Sequence, residues 1–140
     1  MIHFYNKNRE MIMLLHDFSF DNREEQVMKF SADISFAFYK ASRIIEDFEW
    51  YIGMFLTDLQ LLYNEKRNSA RFIPIERQIE IYLKRCDEFG HIDVSIKLNH
   101  FDIDQTMYES SLIVNYRIDQ SFLPELIKEF SEVVKRAKHN

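Results

Sequence analysis

The chain has 140 residues, 46% of them apolar and 29% charged, with a formal net charge of -5. A chain of this size can close one hydrophobic core over residues 1–140 without disulfide or metal staples, and the negative balance argues against direct grip on nucleic acid, which needs a concentrated positive surface. A single cysteine, Cys86, and only two glycines and two prolines exclude an internal disulfide, a linker and a glycine-rich phosphate loop. The longest early apolar run, Met11 to Leu15, is far short of the roughly 20 residues of a membrane helix, and no signal peptide is read, so a cytoplasmic protein is expected.

In chain order, Met11 to Phe20 is β-prone but alternates imperfectly, and Asp21 to Glu25 reads as a hairpin connection. From Val27, the residues Met28, Phe30, Ala32, Ile34, Phe36 and Phe38 alternate with polar ones, the period of a half-buried strand. A shorter extended piece, Ser42 to Ile45, leads to Glu46 and Asp47, where a side-chain oxygen can cap a first helix. Between Phe48 and Tyr63 the apolar residues recur every three or four positions, forming one stripe. Gly53 weakens this helix by about 1 kcal/mol relative to alanine, which predicts close packing against a sheet there.

Arg71 to Ile75 reads as a short strand, and Pro74 assigns it to an edge because proline donates nothing to a ladder. Ile79, Ile81 and Leu83 alternate with polar residues. After Asp87-Glu-Phe-Gly90 the alternation resumes at Ile92, Val94, Ile96 and Leu98, the clearest hairpin in the chain. Gly90 supplies the permissive backbone of its turn. A loop from Asn99 to Glu109 then leads to a last strand over Leu112 to Ile118. The second helix follows with Ser121 as N-cap, Pro124 in its first turn and a basic tail from Lys135 at its negative end. No internal repeat is visible. The expected fold is α+β, a mainly antiparallel sheet of about six strands with two helices packed on it.

The five histidines (His3, His16, His91, His100 and His139) include no pair at the helical spacing of a zinc-protease site, so no metal or other cofactor is expected. Cys86 has no local nucleophile motif and reads as a structural thiol. Carboxylates cluster at Glu46, Asp47 and Glu49, at Asp87 and Glu88, and at Asp102 and Asp104. Caps, turns and loops account for each cluster, and an acidic contact surface is the functional alternative. Trp50, beside an apolar stripe, reads as core, with an interface anchor as the alternative.

The early strands, the Phe48 to Tyr63 helix, the hairpin carrying Asp87-Glu-Phe-Gly-His-Ile-Asp93, and the closing Asp119-Gln-Ser-Phe-Leu-Pro124 helix start together resemble the small immunity proteins of bacterial polymorphic toxin systems, particularly the WapI-like group. Gly90-His91-Ile92 entering a strand after an acidic turn is the most specific piece. Many members carry a tryptophan before the final strand, where this chain has Met107-Tyr108. The resemblance implies a non-catalytic, stoichiometric inhibitor of a cognate toxin domain, commonly a basic nuclease, with no catalytic residues carried over. Asp87, Glu88, His91, Asp102 and Asp104 are then the candidate partner-binding residues, suited to a positively charged partner. A small-ligand or regulatory domain, holding an apolar molecule among its 13 phenylalanines, is the rival reading. Monomer and homodimer both stay open, since an edge near Pro74 or the N-terminus could pair with a second copy.

Overall fold

The computed structural model describes residues 1–21, 26–102 and 108–139. Among the described residues eight strands form two antiparallel meanders rather than one sheet of about six. The first contains β1 (Ile2–Tyr5), β2 (Met11–Asp21), β3 (Val27–Phe36) and β4 (Tyr39–Phe48), each paired with the next. Helix α1 (Trp50–Tyr63) follows. The second meander contains β5 (Ser69–Phe72), β6 (Ile79–Arg85), β7 (His91–Asp102) and β8 (Tyr108–Asp119). A 3-10 turn, Gln120–Phe122, then leads into α2 (Leu123–His139). The α+β class stands. Its organisation is a four-strand-plus-helix unit used twice, which the sequence conceals because a meander demands only alternating polarity, not particular residues.

Alternation works as expected in β3, where Met28, Phe30, Ala32 and Ile34 are buried, and in β6 and β7, where Ile79, Ile81, Leu83, Ile92, Val94, Ile96 and Leu98 are buried. The imperfect pattern of β2 has a local cause. Its pairing with β3 slips between His16 and Ser19, with Asp17 at a positive φ of 57°, so Leu15 and Phe18 both reach the core although three positions apart.

Several boundaries differ from the sequence reading. β3 stops at Phe36, and Phe36 pairs with Tyr39 across a two-residue turn, leaving Phe38 outside the strand and 84% exposed. β4 runs the full Tyr39–Phe48, not only Ser42 to Ile45, so α1 begins at Trp50 and not at Glu46. Asp47 instead ends the strand, buried, accepting hydrogen bonds from the backbone N–H of Phe48 (2.8 Å) and Glu76 (3.0 Å). β5 ends at Phe72, before Pro74, and is an edge strand as expected. The supposed loop from Asn99 is strand through Asp102, with strand again from Tyr108. Before α2 it is Asp119, not Ser121, whose carboxylate caps, accepting from the Ser121 N–H at 3.0 Å. Trp50 is not core but 49% exposed, its ring stacked on Tyr51. Apart from its chain neighbours and the helix's own backbone, nothing lies within 4 Å of where a Cβ on Gly53 would stand, so the close packing against a sheet expected there is absent.

A chain of phenylalanine contacts ties the parts together. Phe18 stacks on Phe30 (4.9 Å between centroids) in the first sheet, Phe30 meets Phe72 of the second (6.4 Å), and Phe72 meets Phe55 of α1 (5.5 Å). Phe55 then meets Phe130 of α2 edge-on (5.1 Å), and Phe130 meets Phe4 of β1 (6.2 Å). The helices are exchanged between the sheets: α1 packs on β5, the first strand of the second sheet, and α2 on β1, the first strand of the first. Glu129 of α2 accepts a hydrogen bond from the His3 backbone N–H at 2.8 Å, occupying a donor on the open side of β1. The two edges that the sequence offers for strand pairing between copies are therefore the ones the helices cover.

Candidate partner-binding surface

The hairpin turn between β6 and β7 brings Asp87, Glu88 and His91 together, and its shape follows from the residues themselves. Asp87 Oδ1 accepts from the N–H of Phe89 (2.8 Å) and of His91 (3.2 Å), and Oδ2 lies 2.6 Å from His91 Nδ1. That is the local side-chain-to-backbone bonding that makes Asp a turn former. The bond from the His91 ring, helped by the two backbone donors, holds the Asp87 carboxyl below its ordinary range. Gly90 has a positive φ of 86°, and a Cβ there would lie 2.9 Å from the Gln120 side chain, so this position requires glycine on two counts.

A rigid base supports the turn. Arg85 donates to Gln120 Oε1 (3.0 Å) and to the Leu62 carbonyl at the end of α1 (2.7 Å), while Gln120 N–H donates to the Gly90 carbonyl (2.8 Å). The last turn of α1, the start of the 3-10 turn and the hairpin are thus locked to one another. Beside the turn lies an open groove of about 470 Å³ lined by Glu65, Asn68, Arg85, Cys86, Asp87 and Glu88. At its tip Phe89 is 83% exposed. A large ring exposed to water beside two carboxylates is the composition of a recognition anchor with a polar rim.

The grouping of Cys86, His91 and Asp87 in one turn resembles a nucleophile, base and orienting acid, but the geometry is different. The Cys86 thiol donates to the His91 backbone carbonyl (3.2 Å), and among the described residues it makes no hydrogen bond to the imidazole. His3, paired with Glu129, and His16, paired with Asp17 and Asp33, likewise have no serine or cysteine nucleophile bonded to the ring among the described residues. Among the described residues no three His, Cys, Asp or Glu side chains converge as a metal site, and no helix is long and apolar enough to cross a membrane.

The remaining candidates are placed elsewhere. Asp102 is the last residue of β7, at the end opposite Asp87, a separation on the order of 35 Å along a twelve-residue strand. Asp104 lies outside the described residues. What sequence reasoning missed is Phe89 and Glu65. The turn prediction already implied that Phe89, the third residue of Asp-Glu-Phe-Gly, sits at an exposed tip. Glu65 reaches the groove only through the packing of α1 on β5, and no sequence signal marked it.

Among curated proteins and among solved structures none matches the chain. A family model does match, over residues 48–138, from the end of β4 through both helices and the whole second sheet. That match takes in the Asp87–His91 turn, its Arg85–Gln120 base and well over half of the sequence, and on it the chain belongs to the Immunity protein WapI-like family.

Proposed function

We propose that the protein is a non-catalytic immunity protein that neutralises a cognate toxin by binding it in the cytoplasm. Family membership carries the reading. The surface chemistry supports it: net charge is -5, and the 83% exposed ring of Phe89, in the turn between β6 and β7, directly follows Asp87 and Glu88. In this reading Phe89 enters a hollow on the toxin while Glu88 and Glu65 face positive groups around it. Asp87 acts through the turn, since both its oxygens are engaged within it. A basic nuclease domain is the partner class this suits, because an exposed negative surface steers association with a phosphate-binding cleft. Asp102, at the far end of β7, belongs in this reading to a second contact, which Asp104, two residues on in the sequence, would share. Residues 1–140 act as one domain, consistent with the single core that spans both sheets and both helices.

The test is calorimetry of the purified chain against the toxin domain encoded beside it. The expected result is one-to-one binding that weakens as salt rises. Absence of association with any neighbouring gene product would overturn the proposal.

A further inference from the structure

Helices cover β1 and β5, which leaves β4 and β8 as the other edges of the two sheets. The longer is β8, 12 residues paired with β7 throughout without a shift of register. It has no proline, no bulge and no lysine, the features that commonly keep an edge from pairing again. Its backbone direction follows from the pairing. Gln120 N–H donates to the Gly90 carbonyl (2.8 Å) one step beyond the His91 and Asp119 pair, so even-numbered residues of β8 exchange hydrogen bonds with β7 and odd-numbered ones aim theirs outward. Among the described residues the N–H groups of Ser111, Ile113 and Asn115 find no other backbone partner. All three residues are exposed, Ile113 at 54%. The β4 edge is already engaged: Glu46 N–H donates to Gln78 Oε1 (2.9 Å), and the Arg43 guanidinium donates to the Asn99 carbonyl of the second sheet.

We infer that β8 pairs with β8 of a second copy of this chain, antiparallel about a two-fold axis between the Ile113 residues, joining two four-stranded sheets into one. For the backbone groups to match, odd-numbered residues must meet odd-numbered ones, and the register centred on Ile113 also matches the side chains. Ile113 then faces Ile113, Ser111 faces Asn115, and Glu109 faces Arg117, the last two pairs occurring twice by symmetry. Sliding the copies by one pleat repeat sets Glu109 against Asp119; the opposite slide carries Arg117 past the end of the strand. Both charges are at hand. Arg117 donates to Asp93 through Nε (2.8 Å), which leaves its terminal nitrogens for a further carboxylate, and Glu109 lies 3.4 Å from Lys97, itself shared with Glu80. On the other face Leu112 of one copy meets Val114 of the next, which continues the apolar layer across the joint. The Asp87 to His91 turn lies beyond the paired segment, next to Asp119, so each copy keeps its acidic turn outside the joint. The inference therefore stands or falls apart from toxin binding.

The test is sedimentation velocity of the full chain at concentrations reaching about 0.1 mM. A species of twice the 17.1 kDa chain mass is expected. In hydrogen exchange the amides of Ser111, Ile113 and Asn115 should be protected at high concentration and lose that protection on dilution. Ile113→Lys brings two ammonium groups together on the axis, while Glu109→Arg and Arg117→Glu each set like charges across the joint. Each is expected to weaken self-association by about tenfold or more, with the fold retained by circular dichroism. Mixing the Glu109→Arg and Arg117→Glu chains is expected to restore association, because every arginine at these positions then faces a glutamate of the other chain.

A native chain that sediments as a monomer throughout would overturn the inference, as would a dimer that survives all three substitutions. Charge variants that stay apart when mixed would overturn it too, since the register requires them to pair. Should a variant fail to fold, the Ile113 amide of the native chain decides: exchange that ignores concentration leaves no strand pairing at this edge.

Discussion

Each half of the molecule is a meander that opens on a four-residue strand and closes on a helix, yet the halves present different chemistry to solvent. In the first half the hairpin tip at Phe38 has tyrosine and lysine beside it, and α1 has no acidic residue in its first turn and no basic one in its last. In the second half the tip at Phe89 follows two carboxylates, and α2 has Glu125 in its first turn and lysines and arginine towards its end, the arrangement that suits its dipole. Helix α2 is thus finished as a surface helix, whereas α1 leaves Trp50, Met54 and Tyr63 substantially exposed. The shared connectivity is set by apolar alternation, which many side chains satisfy. The outward residues are free of that constraint, and it is there that the halves differ and that recognition chemistry can be built.

The largest expected effect tests whether the halves are energetically separate. Phe72 of β5 touches Phe30 of the first sheet and Phe55 of α1, so Phe72→Ala should cost about 3–5 kcal/mol and lower the urea midpoint of both halves together. Unfolding of the second half alone, with Trp50 fluorescence unchanged, would show that the phenylalanine chain does not couple them. Next comes the contrast between tips. Phe89→Ala should weaken toxin binding by about 2 kcal/mol, and Phe38→Ala, equally exposed, by much less, both with stability nearly unchanged. Equal losses in the two variants would dissolve the functional asymmetry.

A smaller effect is expected at the junction between halves. Asp47 is buried and takes the N–H groups of Phe48 and Glu76, so Asp47→Asn, which removes one acceptor, should destabilise by about 1–2 kcal/mol in chemical denaturation. A neutral result would mean that the β4 end is held by packing alone. The smallest effect is a pH dependence confined to the first sheet. A hydrogen bond to Asp33 raises the His16 pKa above its ordinary 6.5, opposed by burial and aided by the charges of Asp33 and Asp17. Hydrogen bonds from Ser42 and then His16 hold the Asp33 carboxyl down.

A histidine raised in the folded state stabilises fully below its unfolded pKa, and that contribution is lost as pH climbs through the folded value. The carboxylate does the reverse, contributing above its unfolded pKa and losing that contribution as pH falls through its folded one. Stability should therefore drop by at most about 1 kcal/mol on passing upward through the His16 titration, given how near solvent the pair lies. The urea midpoint of His16→Gln should lack that slope; a slope that persists would assign it to another group.

The amino-acid sequence by itself determined the strand and helix identities wherever one face alone is buried: Met28 to Ile34, Ile79 to Leu83 and Ile92 to Leu98 alternate because a pleated strand sends neighbours to opposite faces. It also determined the Asp87 to Gly90 turn, whose acidic side chain and positive-φ glycine act within a few residues of each other. Only the tertiary structure decided that the strands divide into two sheets, that each helix covers the other sheet's first strand, and that Phe72 meets both Phe30 and Phe55. Those outcomes depend on contacts between residues far apart in the chain, and periodicity reports which face of a segment is apolar but not which distant surface will cover it.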